Sequence, residues 1–215
     1  MTHYSSQQVR LGISVLLDAQ RALLHGRRVG VLTGPSGVLP DLTSSAEALI
    51  RAADVRALFG PEHGLLGAAA PGAHIDGAIH PSGLPIYSLY GAVLAPSPEQ
   101  LADLDVVVCD IQDVGCRFYT YVWTLVKLMQ VAAAAGVAVI VTDRPNPLGG
   151  AIEGPGVDDD HRTLVGLHDV PIRHGLTIGE LARLANDELA IGCDLTVIAC
   201  EGWQRADRWG ATGLP

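Results

Sequence analysis

The sequence predicts an α/β domain with a Rossmann-like, mostly parallel sheet and helices on both faces. Short apolar, β-branched runs alternate with helical patterns along most of the chain, as in folds built from right-handed β–α–β crossovers. The runs at 105–111 and 137–142 are almost entirely apolar, which is typical of strands covered on both faces. Polar residues follow several of these runs, and in such sheets ligands bind beyond the carboxyl ends of the strands.

The order of the elements follows from hydrophobic spacing and from capping residues. The runs predicted as strands are 28–33, 55–59, 85–90, 105–111, 137–142 and 195–199. The stretches predicted as helices are 13–24, 44–53, 97–104, 119–135 and 178–189. Ser44 with Glu47, and Thr177 with Glu180, have the spacing of capping boxes, and Gly136 is placed to end the longest helix. Residues 67–83, rich in Gly, Ala, Pro and His, predict a long loop.

Composition excludes several classes of partner. The formal net charge is -9, with 14 Lys and Arg against 23 Asp and Glu, which argues against nucleic acid and against a basic membrane-surface helix. Lys127 is the single lysine and lies near no glycine-rich loop, so a Walker-type ATP site is excluded. No signal pattern precedes Gly12, and the four cysteines match no C-x-x-C or zinc spacing. We therefore expect reduced thiols and a cytoplasmic location, with secretion left open.

Carboxylates dominate the segments that follow the predicted strands. They are Glu62, Asp110, Asp113, Asp143 and Glu153. Two placed carboxyl groups, one protonated and one ionised, suffice to hydrolyse a glycosidic bond. Crowding of carboxylates in a cleft raises the pKa of at least one of them, as a general acid requires. The sequence therefore predicts an enzyme active site, with a sugar as the favoured substrate.

Structural roles compete with catalysis at several of these positions. Asp110 directly follows an apolar strand and is as compatible with a turn or amide contact as with catalysis. Asp143 and Arg144 could form a local ion pair, and Asn146 between two prolines could be a turn residue. Glu62 is harder to explain structurally, because its segment has no other polar purpose.

Metal and nucleotide sites are poorly supported. The histidines at 63, 74, 80 and 174 fit no metal-ligand spacing. We interpret His63 and His174 as sugar or carboxylate contacts and the other two as loop residues. The first loop, Gly34 to Gly37, is not G-x-G-x-x-G and has a proline where an amide would face phosphate. We expect neither a metal nor a cofactor.

Seven segments in order resemble one known family, the exo-acting β-N-acetylmuramidases of bacterial peptidoglycan. They are 58–64 (LFGPEHG), 88–91 (SLYG), 110–115 (DIQDVG), 117–121 (RFYTY), 143–150 (DRPNPLGG), 153–155 (EGP) and 174–181 (HGLTIGEL). Each is weak alone, but the ordered set is specific and the resemblance runs from about residue 11 to 215. It implies an enzyme of cell-wall recycling that releases N-acetylmuramic acid from the non-reducing end of muropeptides or amino-sugar glycan fragments.

The resemblance also implies roles for individual residues. Glu62 becomes the first candidate for the acid/base and Glu153 the second, with His63 orienting the acid or binding the sugar. A second carboxylate would come from Asp113, Asp143 or Glu153. Candidate substrate-binding residues are Tyr90, Gln112, Arg117, Tyr119, Tyr121, Arg144, Asn146 and His174. The two arginines are candidates to bind the lactyl carboxylate of muramic acid, because a guanidinium binds carboxylates with two parallel hydrogen bonds.

The family implies a second, auxiliary domain beyond the Rossmann-like one. We expect residues 1–215 to be the catalytic domain of a chain cut short before that second domain. Two other functions remain open: a sugar-binding α/β module without catalysis, and a nucleotide-dependent enzyme. Oligomeric state and anomeric outcome do not follow from the sequence.

Overall fold

The computed structural model describes residues 9–65, 78–91 and 93–215. Its centre is a seven-stranded sheet with the order β3-β4-β2-β1-β5-β6-β7. The strands are β1 (Arg28–Thr33), β2 (Asp54–Gly60), β3 (Ala78–Ile79), β4 (Pro85–Ser88), β5 (Val106–Asp110), β6 (Ala138–Thr142) and β7 (Leu195–Ile198). Neighbouring strands are parallel except for β3, which is antiparallel to β4. The predicted mostly parallel, Rossmann-like sheet is confirmed.

Helices cover both faces of this sheet. They are α1 (Gly12–Asp18), α2 (Ser45–Ala52), α3 (Pro98–Leu101), α4 (Thr120–Ala135) and α5 (Ile178–Glu188). One core cluster joins α4 and α5 to alternate residues of the central strands, such as Val107 and Cys109. A second cluster joins α1 and α2 to the intervening residues, such as Val106 and Val108. The alternation follows from the two-residue period of a strand, so the apolar run of β5 buries side chains on both faces.

Three local predictions need correction. The predicted helix at 13–24 ends at Asp18 and is followed by a separate 3₁₀ turn, whose Arg21 donates to the carbonyl of Ala52 at 2.9 Å. The Ser44 side chain makes no capping hydrogen bond. Its predicted partner Glu47 instead lies 3.4 Å from His80. The predicted loop at 67–83 contains β3 at its end, and residues 67–77 lie outside the described part of the chain.

Two other end signals are confirmed. Thr177 and Glu180 form a complete capping box at the start of α5. Gly136 ends α4 in the left-handed conformation, with φ of 70°.

All four cysteines are free thiols. Within the described ranges, no helix is long and apolar enough to cross a membrane.

Gly12 allows α1 to approach the sheet closely. Its amide donates to the carbonyl of Asp143 at 2.9 Å, and an added Cβ would lie 2.3 Å from the Ile198 carbonyl oxygen and 2.4 Å from the Asp143 nitrogen. Gly12→Ala is therefore expected to destabilise the fold by about 1–3 kcal/mol, the usual cost of overpacking. Urea unfolding of this chain measures the loss. Gly210→Ala is the matched control because nothing lies within 4 Å of its added Cβ, and equal midpoints for the two variants would contradict the prediction.

Candidate active site

Glu62 lies in a tight turn at the carboxyl end of β2. The Gly64 amide donates to the Pro61 carbonyl at 2.9 Å, and His63 and Gly64 both have positive φ, 69° and 73°. Gly60 leads into the turn, and an added Cβ there would lie 2.6 Å from the Leu65 nitrogen. The turn leaves Glu62 and His63 partly exposed above an otherwise buried strand end. A left-handed histidine is uncommon, and such conformations concentrate at functional sites.

Hydroxyl groups from two other segments hold Glu62. Thr120, the first residue of α4, donates its hydroxyl to Glu62 Oε2 at 2.8 Å. Tyr121 donates its hydroxyl to the Glu62 backbone carbonyl at 3.2 Å. A hydrogen bond to Glu62 is the main reason that the pKa of Tyr90 is raised. The carboxyl group thus lies where the end of β2 meets the amino end of α4.

Tyr119 packs beside Tyr121, whose hydroxyl contacts the Glu62 backbone. The Tyr119 and Tyr121 rings pack with centroids 4.5 Å apart. Burial is the main cause that raises the pKa of Tyr119, and the charges of Asp113 and Glu62 both add to the shift. Tyr119 is therefore close enough to both carboxyl groups for their charges to act on its hydroxyl.

Asp113 is a buried carboxylate with one oxygen uncommitted. Its Oδ2 accepts hydrogen bonds from the Gly115 amide at 2.6 Å and from His174 Nε2 at 3.1 Å. The Leu176 amide donates to His174 Nδ1 at 3.1 Å, so the proton of the neutral ring is on Nε2. Oδ1 is buried and has no hydrogen-bond partner within the described ranges. His174 thus contacts a carboxylate of the protein, and its role in binding substrate stays a prediction.

Asp143 and Asn146 hold loops together. Asp143 accepts hydrogen bonds from the Gly179 amide at 2.9 Å and the Thr177 hydroxyl at 2.7 Å, both at the start of α5. Burial raises its pKa despite these donors. Asn146 donates to the Leu176 carbonyl and accepts from an amide within its own loop, both at 2.9 Å. These contacts occupy the polar atoms that were predicted to serve catalysis and substrate binding.

Arg144 pairs with Asp110 and not with Asp143, the local ion pair that the sequence left open as an alternative. Arg144 Nε and Nη2 donate to the two carboxyl oxygens of Asp110 at 2.9 and 2.6 Å. The side chains are 3% and 0% exposed. Thr142 donates to the same carboxylate at 2.8 Å, and Ser45 also donates to it. The carboxylate-binding fork of Arg144 is therefore occupied inside the protein, which the prediction of a free lactyl-binding arginine did not anticipate.

Arg117 and Glu153 are also engaged by neighbouring loops. Arg117 Nη1 donates to the Pro155 and Val170 carbonyls, each at 2.8 Å. Glu153 is exposed, and its carboxylate accepts from Arg173 at 2.8 Å. Among the described residues, Thr120 and Tyr121 contact Glu62 directly, whereas the Glu153 carboxylate is held by Arg173.

Sequence reasoning missed Thr120 and Arg173. Thr120 lies inside the RFYTY segment that carried part of the resemblance, and its position at a helix start could have indicated a donor. Arg173 had no comparable signal, because its contact with Glu153 depends on pairing between two loops. His74 lies outside the described residues, and His80 binds Ser82 at 2.8 Å. In the ranges that the structure describes, no group of three or more His, Cys, Asp or Glu residues is placed to hold a metal ion.

Comparison with known proteins identifies the family. Residues 29–215 match the family model described as the N-terminal part of the exo-β-N-acetylmuramidase NamZ. The chain belongs to this family. The peptidoglycan β-N-acetylmuramidase NamZ of Bacillus subtilis (strain 168) is 44% identical over 212 residues, which are 97% of this chain and 51% of that protein. The chain thus spans about half the length of this NamZ relative.

Solved structures agree with the NamZ assignment in fold. A DUF1343 family protein from Bacteroides fragilis superposes with a TM-score of 0.89 at 42% identity, covering 96% of this chain and 54% of that one. A second protein of that family from the same organism has a TM-score of 0.81 at 32% identity, covering 94% of this chain and 54% of that one. The Rossmann-like architecture is therefore shared across proteins about twice as long.

Proposed function

We propose that residues 1–215 form the catalytic domain of an exo-acting glycosidase that releases N-acetylmuramic acid from the non-reducing end of peptidoglycan fragments. The observation that carries the proposal is the environment of Glu62. A partly exposed carboxyl group lies in a tight turn and receives a hydrogen bond of 2.8 Å from Thr120 at the amino end of a 16-residue helix. Membership of the NamZ family supplies the substrate class.

Glu62 suits the role of general acid. When a glycosidic bond breaks, the acid gives its proton to the leaving oxygen and becomes negatively charged. The Thr120 hydroxyl, the Tyr90 hydroxyl and the amino end of α4 are already in place to stabilise that charge. Such preorganised donors stabilise a transition state because they need not reorient as the charge develops. His63, the next residue in the turn, would help to bind or orient the sugar.

Asp113 suits the role of the second carboxylate. Asp143 is committed to the start of α5 and Glu153 to Arg173, whereas Asp113 keeps one oxygen free of partners among the described residues. His174 and the Gly115 amide fix its orientation. In this role Asp113 would activate water or stabilise the positive charge that develops on the sugar ring.

Hydrolysis of a disaccharide tests the proposal. The substrate is N-acetylmuramic acid linked β-1,4 to N-acetylglucosamine, and free N-acetylmuramic acid is measured by chromatography. The test compares this chain with a hybrid in which the second half of the Bacillus subtilis relative follows Pro215. We expect the hybrid to release N-acetylmuramic acid from this disaccharide. We expect it not to cleave the isomeric disaccharide that carries N-acetylglucosamine at the non-reducing end. A folded hybrid that cleaves neither disaccharide contradicts the proposed activity.

A further inference from the structure

A small cavity lies at the carboxyl edge of the sheet, beside the Glu62 turn. Its volume is about 170 Å³. Its lining residues are Leu11, Ser36, Val38, Gln112, Arg144, Trp209, Leu214 and Pro215. The loop after β1 connects it to the acid: at Gly34 an added Cβ would lie 3.4 Å from Pro61, and Ser36 is two residues further on. The loop after β1 therefore borders both the Glu62 turn and the cavity.

Gln112 lines this cavity and carries a buried acceptor without a partner among the described residues. Its Nε2 donates to the Asp113 carbonyl at 2.7 Å and to the Pro145 carbonyl at 3.0 Å. Both partners are acceptors, so the orientation of the amide is fixed with its nitrogen toward them. The other end of the amide, Oε1, is buried and has no donor among the described residues. A buried oxygen without a partner is costly, and a ligand N–H group would satisfy it.

Arg144 presents a fixed donor at the same cavity. Its hydrogen bonds to Asp110 and Val38 use Nε and Nη2. Nη1 makes no hydrogen bond with the residues that the structure describes. The side chain is 3% exposed and held at two points by the buried carboxylate, so Nη1 cannot turn away. A ligand oxygen placed in the cavity would meet an immobile charged donor.

We propose that this cavity binds the acetamido group of the substrate sugar. The carbonyl oxygen would accept from Arg144 Nη1, the N–H would donate to Gln112 Oε1, and the methyl group would contact Leu11, Val38 or Trp209. A carboxylate fits less well because it has no hydrogen for Gln112 Oε1 and would be repelled by that oxygen. The inference deepens the proposed function and rests on it, since it names the part of the amino sugar that the site recognises.

Ligand-detected NMR with this chain tests the inference without any turnover. The probes are N-acetylmuramic acid and muramic acid, whose free ammonium would face the Arg144 guanidinium. We expect the acetyl methyl protons to receive the strongest saturation transfer from the protein. We expect muramic acid to bind at least ~10-fold more weakly, because it loses the carbonyl acceptor and adds a like charge next to the arginine.

A filling variant locates the binding. Ser36 is exposed, so Ser36→Phe can place a ring in the cavity without disturbing the core. It should remove saturation of the methyl group, whereas Ser82→Phe, at an exposed serine outside the cavity, should not. The inference is overturned if a folded Ser36→Phe variant still saturates the methyl group, or if the two sugars bind equally well. If the hybrid still cleaves the disaccharide in that case, the proposed function stands. Absence of both binding and turnover overturns the inference together with the proposed function.

Discussion

Glu62→Gln is expected to reduce release of N-acetylmuramic acid by at least ~10²-fold, the scale of lost general acid catalysis. The amide is nearly the same size but cannot supply the proton for the leaving oxygen. The Thr120 hydroxyl can still donate to the amide oxygen, so the turn should keep its conformation. The measurement is kcat for the disaccharide in the hybrid protein, with the unfolding midpoint as a check on folding.

Two further Glu→Gln variants make this result specific. Glu201→Gln changes an exposed carboxylate that pairs with Arg10 on the surface, and its turnover should equal that of the parent. Glu153→Gln separates the two acids predicted from the sequence, and it should cost only a few-fold because Glu153 is exposed and paired with Arg173. If Glu153→Gln gives the large loss and Glu62→Gln does not, the acid is misassigned. A protein that binds the sugar while both variants and the parent fail to cleave it is a sugar-binding module.

Arg144→Met is expected to destabilise the fold by about 3–5 kcal/mol, because it leaves the buried Asp110 carboxylate without its cation. That carboxylate is 0% exposed and accepts two hydrogen bonds from the guanidinium, at 2.9 and 2.6 Å. Thr142 and Ser45 would still donate to it but carry no charge. Urea unfolding of this chain, followed by circular dichroism, gives the free energy of unfolding.

A double variant shows whether the loss of stability comes from the uncompensated charge of Asp110. Asp110→Leu combined with Arg144→Met removes both charges and should recover much of the stability, as found when buried pairs are replaced by apolar residues. Arg10→Ala is the matched surface control. It breaks exposed contacts with Asp18 and Glu201 and should cost no more than about 1 kcal/mol. A loss for Arg144→Met as small as that for Arg10→Ala would contradict the assignment of a buried, tightly held pair.

The fold was predictable because its signals are local. The apolar runs that form β5 and β6 are typical of strands covered on both faces, and the structure confirms both. Gly136 ends α4 and Thr177 caps the start of α5, as the local preferences of glycine and threonine predict. Prediction was wrong where tertiary contacts override local ones. Glu47 lies near His80 on another element instead of capping its own helix.

The candidate site was only partly predictable, for a related reason. Most of the predicted carboxylates lie at or shortly after a strand end, and parallel strands bring those ends to one edge, so the location could be inferred. The sequence does not tell a carboxylate that is committed to the fold from one that remains available. Asp143 binds the start of a helix 36 residues away, and Asp110 pairs with an arginine 34 residues away. Such partners are visible only once the chain is folded.

The fixed ring of His174 limits how protons can move in this site. With Nδ1 accepting from the Leu176 amide and Nε2 donating to Asp113, the imidazole has no free nitrogen on which to collect a proton from solvent. It cannot shuttle protons without first breaking a backbone contact. If Glu62 is the acid, as proposed, its proton would return by a route other than His174, and turnover should then depend on how freely water reaches the Glu62 turn.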